Sequence, residues 1–574
     1  MKYTGAELTI KLLEKQGIEI IAGIPGGSNL PLYNALYDSP IKHILARHEQ
    51  GAGFIAHGMA RSTGNTAVCF ATSGPGATNT ITAIADAKLD SVPIVFITGQ
   101  VSLPLIGTDA FQEVDTYGLT LPVTKHNFLV HSARELLEVV PEAFKIAASG
   151  RPGPVVVDIP KNVQLETVEV EELPEPEKNL KDFSVSISDA ARIARDFNIC
   201  ISDAARIARL INKSKRPLMI LGGGVVNSNA QELLLKLVHK STIPAATTLM
   251  GIGCIPQDDP LSLGMLGMHG ARYTNYIVNE ADLILAFGVR FDDRATGKVK
   301  GFCPDATIVH IDIDEAEIDK VKKTDISITA DISQVVSEML PYINYDDRPE
   351  WISYVKSMKA QYPVRLDSES DPYQPCRFIG RVSEMLDEEV IITTDVGQHQ
   401  MWVAQCYPVK KPRQLLTSGG LGTMGIGLPA AIGAALANPG KRVVCFSGDG
   451  SILMNIQELA TLADHKLNVT VIIMNNKHLG LVRQLQELFY DKHYMAVKFI
   501  SNPDFAKIAE GFGIRSYNLE GVEDPGELLE KAFNEPGPCL INVPIAPEEQ
   551  VMPIVPPGAS NNEMIGGGKD DSNL

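Results

Sequence analysis

The sequence predicts an α/β protein of three doubly wound parallel-sheet units, and three observations carry that reading. Short apolar runs alternate with helical periodicity along most of the chain, the rhythm of parallel sheets covered by helices. Several of these runs end in a glycine turn that opens a helix, as in "AVCFATSGPGATNTITAIADA" and "VVCFSGDGSILMN". Two polar stretches break the rhythm: the acidic, proline-containing "ETVEVEELPEPEKNLKD" at 166–182 and "NYDDRPEWISYVKSMKAQYPVRLDSESDPYQP" at 344–375.

The first unit therefore covers 1–165, with a strand in "VPIVFITGQ", and 166–185 reads as a linker. The second, 186–341, has strands in "RPLMILGGG", "ADLILAFGVRF" and "ATIVHIDID". After a linker at 342–375, the third unit, 376–550, carries strands in "VIITTDVG", "RVVCFSGDG" and "NVTVIIMNN". The tail, 551–574, is rich in Pro, Gly and Asn and is expected to be a mobile arm.

A chain of 574 residues can bury several large cores, and 44% apolar with 21% charged residues is an ordinary globular composition. The net charge of −18 speaks against a nucleic-acid partner, because phosphate binding calls for a basic surface. It suits a soluble cytoplasmic enzyme. Eight scattered cysteines form no CxxC pair, and several sit in apolar runs, so neither a disulfide framework nor a zinc site is expected. The N-terminus, "MKYTGAELTIKLLEKQG", is an amphipathic helix without the apolar stretch of a signal peptide, and no segment is apolar enough for a membrane span. "ISDAARIAR" occurs at 187–195 and again at 201–209, which reads as a local duplication without chemistry.

The strongest chemical signal is "VVCFSGDGSILMNIQELATLADHKLNVTVIIMNNKHLG" at 443–480. Asp449 and Asn476 are 27 residues apart, the length of one strand–helix–strand crossover. Such a crossover ends both strands on the same sheet edge, where open α/β folds bind ligands. A carboxylate plus an amide oxygen suits Mg²⁺, whose shell is often completed by ligand phosphates. Gly448 and Gly450 let the backbone approach a diphosphate, and the helix behind Ser451 offers free N–H groups.

This stretch resembles the GDG-to-NN signature of the thiamine-diphosphate enzymes. The resemblance implies their fold: a pyrimidine-binding domain, a central domain and a diphosphate-binding domain. It also implies a role for Glu49 in "ILARHEQGAGFIAHGMAR", as the glutamate that hydrogen-bonds the cofactor's aminopyrimidine and relays its proton. The alternative for Glu49 is a salt bridge to Arg47 or Arg61. Met424 in "SGGLGTMGIGLPAAIGAALANP" matches the residue that props the cofactor into its bent shape, so that positioning supplies much of the rate. "TTDVGQHQMW" matches a diphosphate loop, giving Gly397, Gln398 and His399. The remaining cofactor positions implied are Pro25, Gly26, Thr72, Pro75, Asn79, Gly422, Gly448, Asp449, Gly450, Ser451, Asn476, His478, Gly480 and Leu481. Asp449, Asn476 and the backbone carbonyl of His478 would hold Mg²⁺.

Together with "GIPGGSNLPLYNAL", "TSGPGATN", "IGTDAFQEVD" and "SGRPGPVVVDIPKNV", these motifs resemble the large catalytic subunits of acetolactate synthase, the bacterial isozyme I type in particular. In that family the central domain holds FAD in a structural role. The matching segments are "LGGGVV", "GMLGMHGARYTNYIVNEADLILAFGVRFDDR" and "HIDIDEAEIDKVKKTDISITAD". They give Gly222, Gly223, Gly224, Leu266, Gly267, Met268, His269, Gly288, Val289, Arg290, Asp292, Arg294, Asp312, Ile313, Asp314 and Asp331; the resemblance adds Thr248 and Leu249 between the segments and Arg151 from the first unit. By spacing alone the Asp292–Asp293–Arg294 cluster would be a solvated charge patch.

The resemblance implies a transferase that decarboxylates pyruvate and joins the two-carbon unit to a second pyruvate or to 2-ketobutyrate, at the first common step of valine, leucine and isoleucine biosynthesis. Phe111, Gln112 and Lys161 match positions near the substrate channel. Leu485 stands where many members have Trp, a contact worth roughly 1–3 kcal/mol, so a weak preference for 2-ketobutyrate is expected. The family pattern also implies a homodimer, or a dimer of dimers, with the cofactor between the first domain of one chain and the third of its partner, and a small regulatory subunit. Rival readings are a pyruvate oxidase, a keto-acid decarboxylase or an FAD-free acetolactate synthase on the same scaffold, or a scaffold protein without catalysis. A dehydrogenase of the GxGxxG type lacks its motif here.

Overall fold

The computed structural model describes residues 1–176, 201–363 and 371–566. Three six-stranded sheets, parallel throughout, form its frame. Their inner strands, such as Ala67–Ala71, Leu283–Phe287 and Val469–Asn475, are buried along their whole length. Helices cover both faces, which is why these strands read as unbroken apolar runs.

In the central unit the sheet order is Ser262–Met265, Ala245–Thr247, Pro217–Leu221, Leu283–Phe287, Thr307–Asp312, Ile326–Thr329. That is the dinucleotide-binding arrangement, whose switch point lies beside the first strand. The first unit is ordered Lys42–Leu45, Ile20–Gly23, Ala67–Ala71, Ile94–Gln100, Val155–Pro160, His126–Leu129. The third is ordered Leu415–Leu416, Ile391–Thr394, Val443–Gly448, Val469–Asn475, Cys539–Pro544, Arg515–Asn518. Numbered along the chain, both read second, first, third, fourth, sixth, fifth, so the first and third units repeat one topology.

In each repeat a helix follows the second strand: Glu49–Thr63 in one, Gly427–Ala437 in the other. These two helices cross at glycines. A Cβ on Gly58 would lie 2.0 Å from the carbonyl oxygen of Ala430, and one on Gly433 would lie 1.9 Å from that of Ile55. Phe54, Ile55, Ile432 and Leu459 belong to one continuous core, so the two units are fused through this crossing.

Four expectations are corrected. Thr167–Glu169, within the expected linker, pairs antiparallel with Lys2–Thr4. Pro349–Gln361, within the second expected linker, is a helix whose Trp351, Val355 and Met358 are buried, a spacing hidden among charged residues. The arm expected to be mobile is packed as far as Gly566. Val551, Ile554 and Val555 are buried, the Val555 N–H donates to the Met268 carbonyl at 2.9 Å, and Arg272 donates to the Gly566 carbonyl at 2.6 Å. Cys376 and Cys406 form a disulfide between two helices, while Cys69, Cys254, Cys303, Cys445 and Cys539 are free and buried. Of the duplicated segment, 201–209 lies in the Ile201–Lys213 helix, and 187–195 lies outside the described residues. No helix among the described residues is long and apolar enough to cross a membrane.

Candidate active site

Val443–Gly448 and Val469–Asn475 run in register from Val443 opposite Val469 to Gly448 opposite Met474. They end side by side, and Asp449 and Asn476 leave the same sheet edge. Asp449 is 2% exposed, and its Oδ2 has no hydrogen-bond partner among the described residues. Burial pushes its carboxyl up to about 7 against the opposing effect of backbone N–H groups, those of Lys477, Gly450 and Asn476 among them. Asn476 donates to Gln398 Oε1 at 3.0 Å, and its own Oδ1 accepts the His478 N–H at 3.1 Å. Gly480 closes over this pair: a Cβ there would lie 2.0 Å from Gln398 Oε1.

Gly448 lies under the His399 ring, and Ser451 Oγ accepts the Gly448 N–H at 3.1 Å. Gly450 faces Leu479 and Phe499. His399 Nε2 is also unpartnered among the described residues, and burial pushes this histidine down to about 3. Gly397 stands beside the same ring. Met424 is half-buried, and Gly422, Leu481 and Leu485 line a large cavity.

A second group gathers on the first unit. Glu49 opens its helix, and its Oε2 accepts from Asn79 at 2.9 Å. Neither nearby arginine pairs with it: Arg47 bonds Asp464, and Arg61 bonds Asp86 at 3.2 Å and Asp90 at 2.6 Å. Thr72 is buried against Gly26 and Gly76, whereas Pro25 and Pro75 are exposed. Gln112 has a left-handed backbone (φ 59°) that packs on Gly74. Phe111 beside it is 87% exposed. Lys161 opens the short Lys161–Leu165 helix. Among the described residues no hydrogen bond joins Glu49 to the 448–481 segment, and Phe111, Gln112 and Lys161 do not line the cavity that Leu485 reaches. Arg47, His48 and Gln50, on either side of Glu49, do bond Glu458 and Asn455 within the 448–481 segment.

That cavity, about 2620 Å³, runs between the three units. It exceeds the usual size of a single small-molecule site. Gly223, Gly224, Thr248, Leu249, Leu266, Met268, His269, Gly288, Val289, Arg290, Asp292, Arg294, Asp312, Ile313 and Asp331 line it, with Arg151. Gly222 and Gly267 sit behind the wall, where a Cβ would strike the Gly288 and Arg294 carbonyls. Asp314 pairs with Arg151 at 3.1 Å. Burial pushes His269 down to about 4 and Asp312 up to about 6. Asp292 and Asp331 also cap the helices that follow them.

Sequence reasoning missed two residues that hold these loops, Asp395 and Gln484. Buried Asp395, at the end of the Ile391–Thr394 strand, accepts the Gly425 N–H at 2.7 Å and the Ser447 hydroxyl at 3.2 Å. Buried Gln484 accepts from Gln398 at 3.0 Å and bonds Val551 through both its amide atoms, joining the diphosphate-loop segment to the start of the arm. Of these, only the Asp in "TTDVG", at a strand end, left a sequence signal.

Comparison with known proteins agrees with this geometry. Residues 3–119 match the family model for the N-terminal TPP binding domain of thiamine pyrophosphate enzymes, 204–339 the central domain, and 395–543 the C-terminal TPP binding domain. The chain is 52% identical over 569 residues to acetolactate synthase isozyme 1 large subunit of Escherichia coli (strain K12), covering 98% of each chain. It is 43% identical to the isozyme 2 large subunit of that organism, over 98% of this chain and 99% of that one. It is 44% identical to a probable acetolactate synthase large subunit of Methanocaldococcus jannaschii, over 98% and 95%. The chain belongs to the acetolactate synthase large subunits, within the thiamine pyrophosphate enzymes.

Proposed function

We propose that this chain decarboxylates pyruvate and transfers the two-carbon unit to a second 2-keto acid. The products are 2-acetolactate from pyruvate and 2-aceto-2-hydroxybutyrate from 2-ketobutyrate, at the entry to branched-chain amino-acid biosynthesis. The observation that carries this reading is the unpartnered Asp449 Oδ2 beside Asn476 at a glycine-lined sheet edge. A buried carboxylate without a counter-charge fits a metal, and a cradle without Cβ atoms fits a diphosphate.

Asp449, the Asn476 amide oxygen and the His478 carbonyl are the oxygen donors that would hold Mg²⁺. Thiamine diphosphate, when bound, supplies the electron sink for loss of CO₂. Glu49 is the residue that would hold and exchange a proton at the ring nitrogen of that cofactor, and its freedom from Arg47 and Arg61 supports that task. Met424 and the Gly422 turn would lie against the cofactor and fix its shape. Gln112, Lys161 and Phe111 orient the keto acids, and Leu485 borders the acceptor.

FAD would occupy the central cavity in a structural role. The sheet order, the Gly222–Gly224 turn at the end of the first central strand and the unpartnered His269 Nδ1 support that placement. The family pattern, with the cofactor between the first unit of one chain and the third unit of its partner, would take Glu49 from a partner copy. Exposed Phe111, Tyr490 and Met495 support such a homodimer face. The relatives' designation as large subunits supports a small regulatory partner, and the net negative charge supports a cytoplasmic enzyme. The test is a pyruvate assay of the purified protein with and without thiamine diphosphate, Mg²⁺ and FAD. Acetolactate that needs the first two is expected; acetaldehyde or peroxide as the main product would refute the reading.

A further inference from the structure

The two repeated units grip each other's active loops through buried carboxylates. In the third unit Glu458, 0% exposed, opens the helix Glu458–Asp464. Its Oε1 accepts the backbone N–H of Arg47 at 2.9 Å and of His48 at 3.0 Å, and its Oε2 accepts the Thr461 hydroxyl at 2.7 Å. Those two amides lie immediately before Glu49. Asn455 adds a bond to Gln50 at 3.2 Å and another to the Gly425 carbonyl at 2.8 Å.

The reverse grip comes from the first unit. Asp86, 0% exposed, and Asp90 lie at the Ile81–Leu89 helix, which follows the third strand of its sheet as Glu458–Asp464 follows the third strand of the other. Asp86 accepts the hydroxyls of Ser418 and Thr423, the latter at 2.7 Å. Asp90 accepts the N–H of Gly419 at 3.0 Å and of Gly420 at 2.6 Å. Arg61 bonds both acids and the Thr417 carbonyl at 2.9 Å, so the second carboxylate is not left without a cation. Met424 follows directly on this clamped loop. Each grip therefore reaches the loop after the second strand of the opposite repeat, the loop that carries Glu49 in one case and Met424 in the other.

We propose that Glu458, and Asp86 with Asp90, are reciprocal positioning residues: each unit sets the catalytic loop of the other, Glu458 fixing Glu49 and the two aspartates fixing Met424. The proposal rests on the roles given to Glu49 and Met424 above. Among the described residues none of the three acids bonds the proposed metal ligands, so the clamps act on proton exchange and cofactor shape rather than on metal affinity.

The test uses the full-length protein. It reads deuterium exchange at C2 of bound thiamine diphosphate by acid quench and NMR, beside the cofactor's dissociation constant and the thermal midpoint. Glu458→Ala leaves two part-buried N–H groups without their carboxylate at the start of the Glu49 helix. It is expected to slow exchange by about tenfold or more, because small misplacements of a catalytic group are costly. Cofactor affinity should stay nearly unchanged. Glu458→Gln, whose amide oxygen still accepts both N–H groups, should restore most of the exchange rate, which a general loss of stability would not explain. Thr423→Val keeps shape but removes one bond to Asp86; it tests the other clamp even if Glu458→Ala fails to fold, and should slow exchange several-fold. Saturated variants that exchange at the parent's rate, or a Gln variant no faster than a folded Ala variant, overturn the proposal. A parent protein that does not exchange C2 at all overturns the functional reading on which it rests, a result distinct from a parent that exchanges and variants that match it.

Discussion

Replacing Gly433 by alanine tests the fusion of the first and third units. The new Cβ would lie 1.9 Å from the Ile55 carbonyl oxygen, 2.8 Å from its carbon and 3.0 Å from the Met59 nitrogen. Carbon and oxygen in close contact stand about 3.3 Å apart, so the helices must separate by roughly 1.4 Å. The obstacle is backbone on both sides, with no flexible side chain to swing away. A gap of 0.5–1 Å already forfeits about a quarter to a half of each dispersion contact along a seam. Overpacking of this kind costs about 1–3 kcal/mol, and the upper end is expected here. Thermal unfolding followed by circular dichroism should show a midpoint lower by roughly 3–4 °C, since the fused units unfold with a large entropy. Because Glu49 heads the displaced helix, turnover should fall more than residual folding explains. Gly58→Ala meets the Ala430 carbonyl at 2.0 Å and should behave alike, and the double variant should cost less than the sum, because both relieve one crossing. A Gly433→Ala protein with the parent's midpoint and turnover would refute this account of the interface.

Three further outcomes follow from the site. Leu485→Trp should raise the share of 2-aceto-2-hydroxybutyrate at equal pyruvate and 2-ketobutyrate by roughly tenfold, read from product ratios, because an aromatic wall rewards the extra methylene. Gly480→Ala drives a methyl into Gln398 and Asn476 and should weaken Mg²⁺-dependent cofactor binding measured by titration, with the cavity of the central unit unaffected. Asp158, buried with Thr98 and Gln100 donating to it, has its carboxyl pushed up to about 7 by burial. The folded chain then holds a proton that the unfolded chain has lost between about pH 4 and 7, so this group's contribution to stability falls as pH rises through that window, by at most about 4 kcal/mol. Asp158→Asn should flatten the decline of the thermal midpoint between pH 4.5 and 7, about the same window.

Much of the frame was legible because parallel strands buried on both faces leave unbroken apolar runs, and because the Asp449–Asn476 spacing equals one crossover. What stayed hidden involves partners distant in sequence. Glu458 meets Arg47 across 411 positions and Ser418 meets Asp86 across 332, and no local pattern marks either. The shared topology of the first and third units is likewise invisible in the residues, since strand order is set by packing. The arm misled because Pro and Gly suggest mobility, yet its apolar Val551, Ile554 and Val555 find a crevice between the third and central units. Pro349–Gln361 misled because its charged face masks three buried residues. The Cys376–Cys406 pair lies on separate helices, 30 positions apart, a spacing with no signature.

The most direct test of the account is Glu49→Gln, assayed for acetolactate with saturating thiamine diphosphate, Mg²⁺ and FAD. Glutamine keeps the size of the side chain and an acceptor for Asn79 but cannot take up a proton, so turnover should fall by about 10²–10⁴-fold while cofactor binding persists. Acetolactate formed at the parent's rate would contradict the assignment of Glu49 and the function built on it.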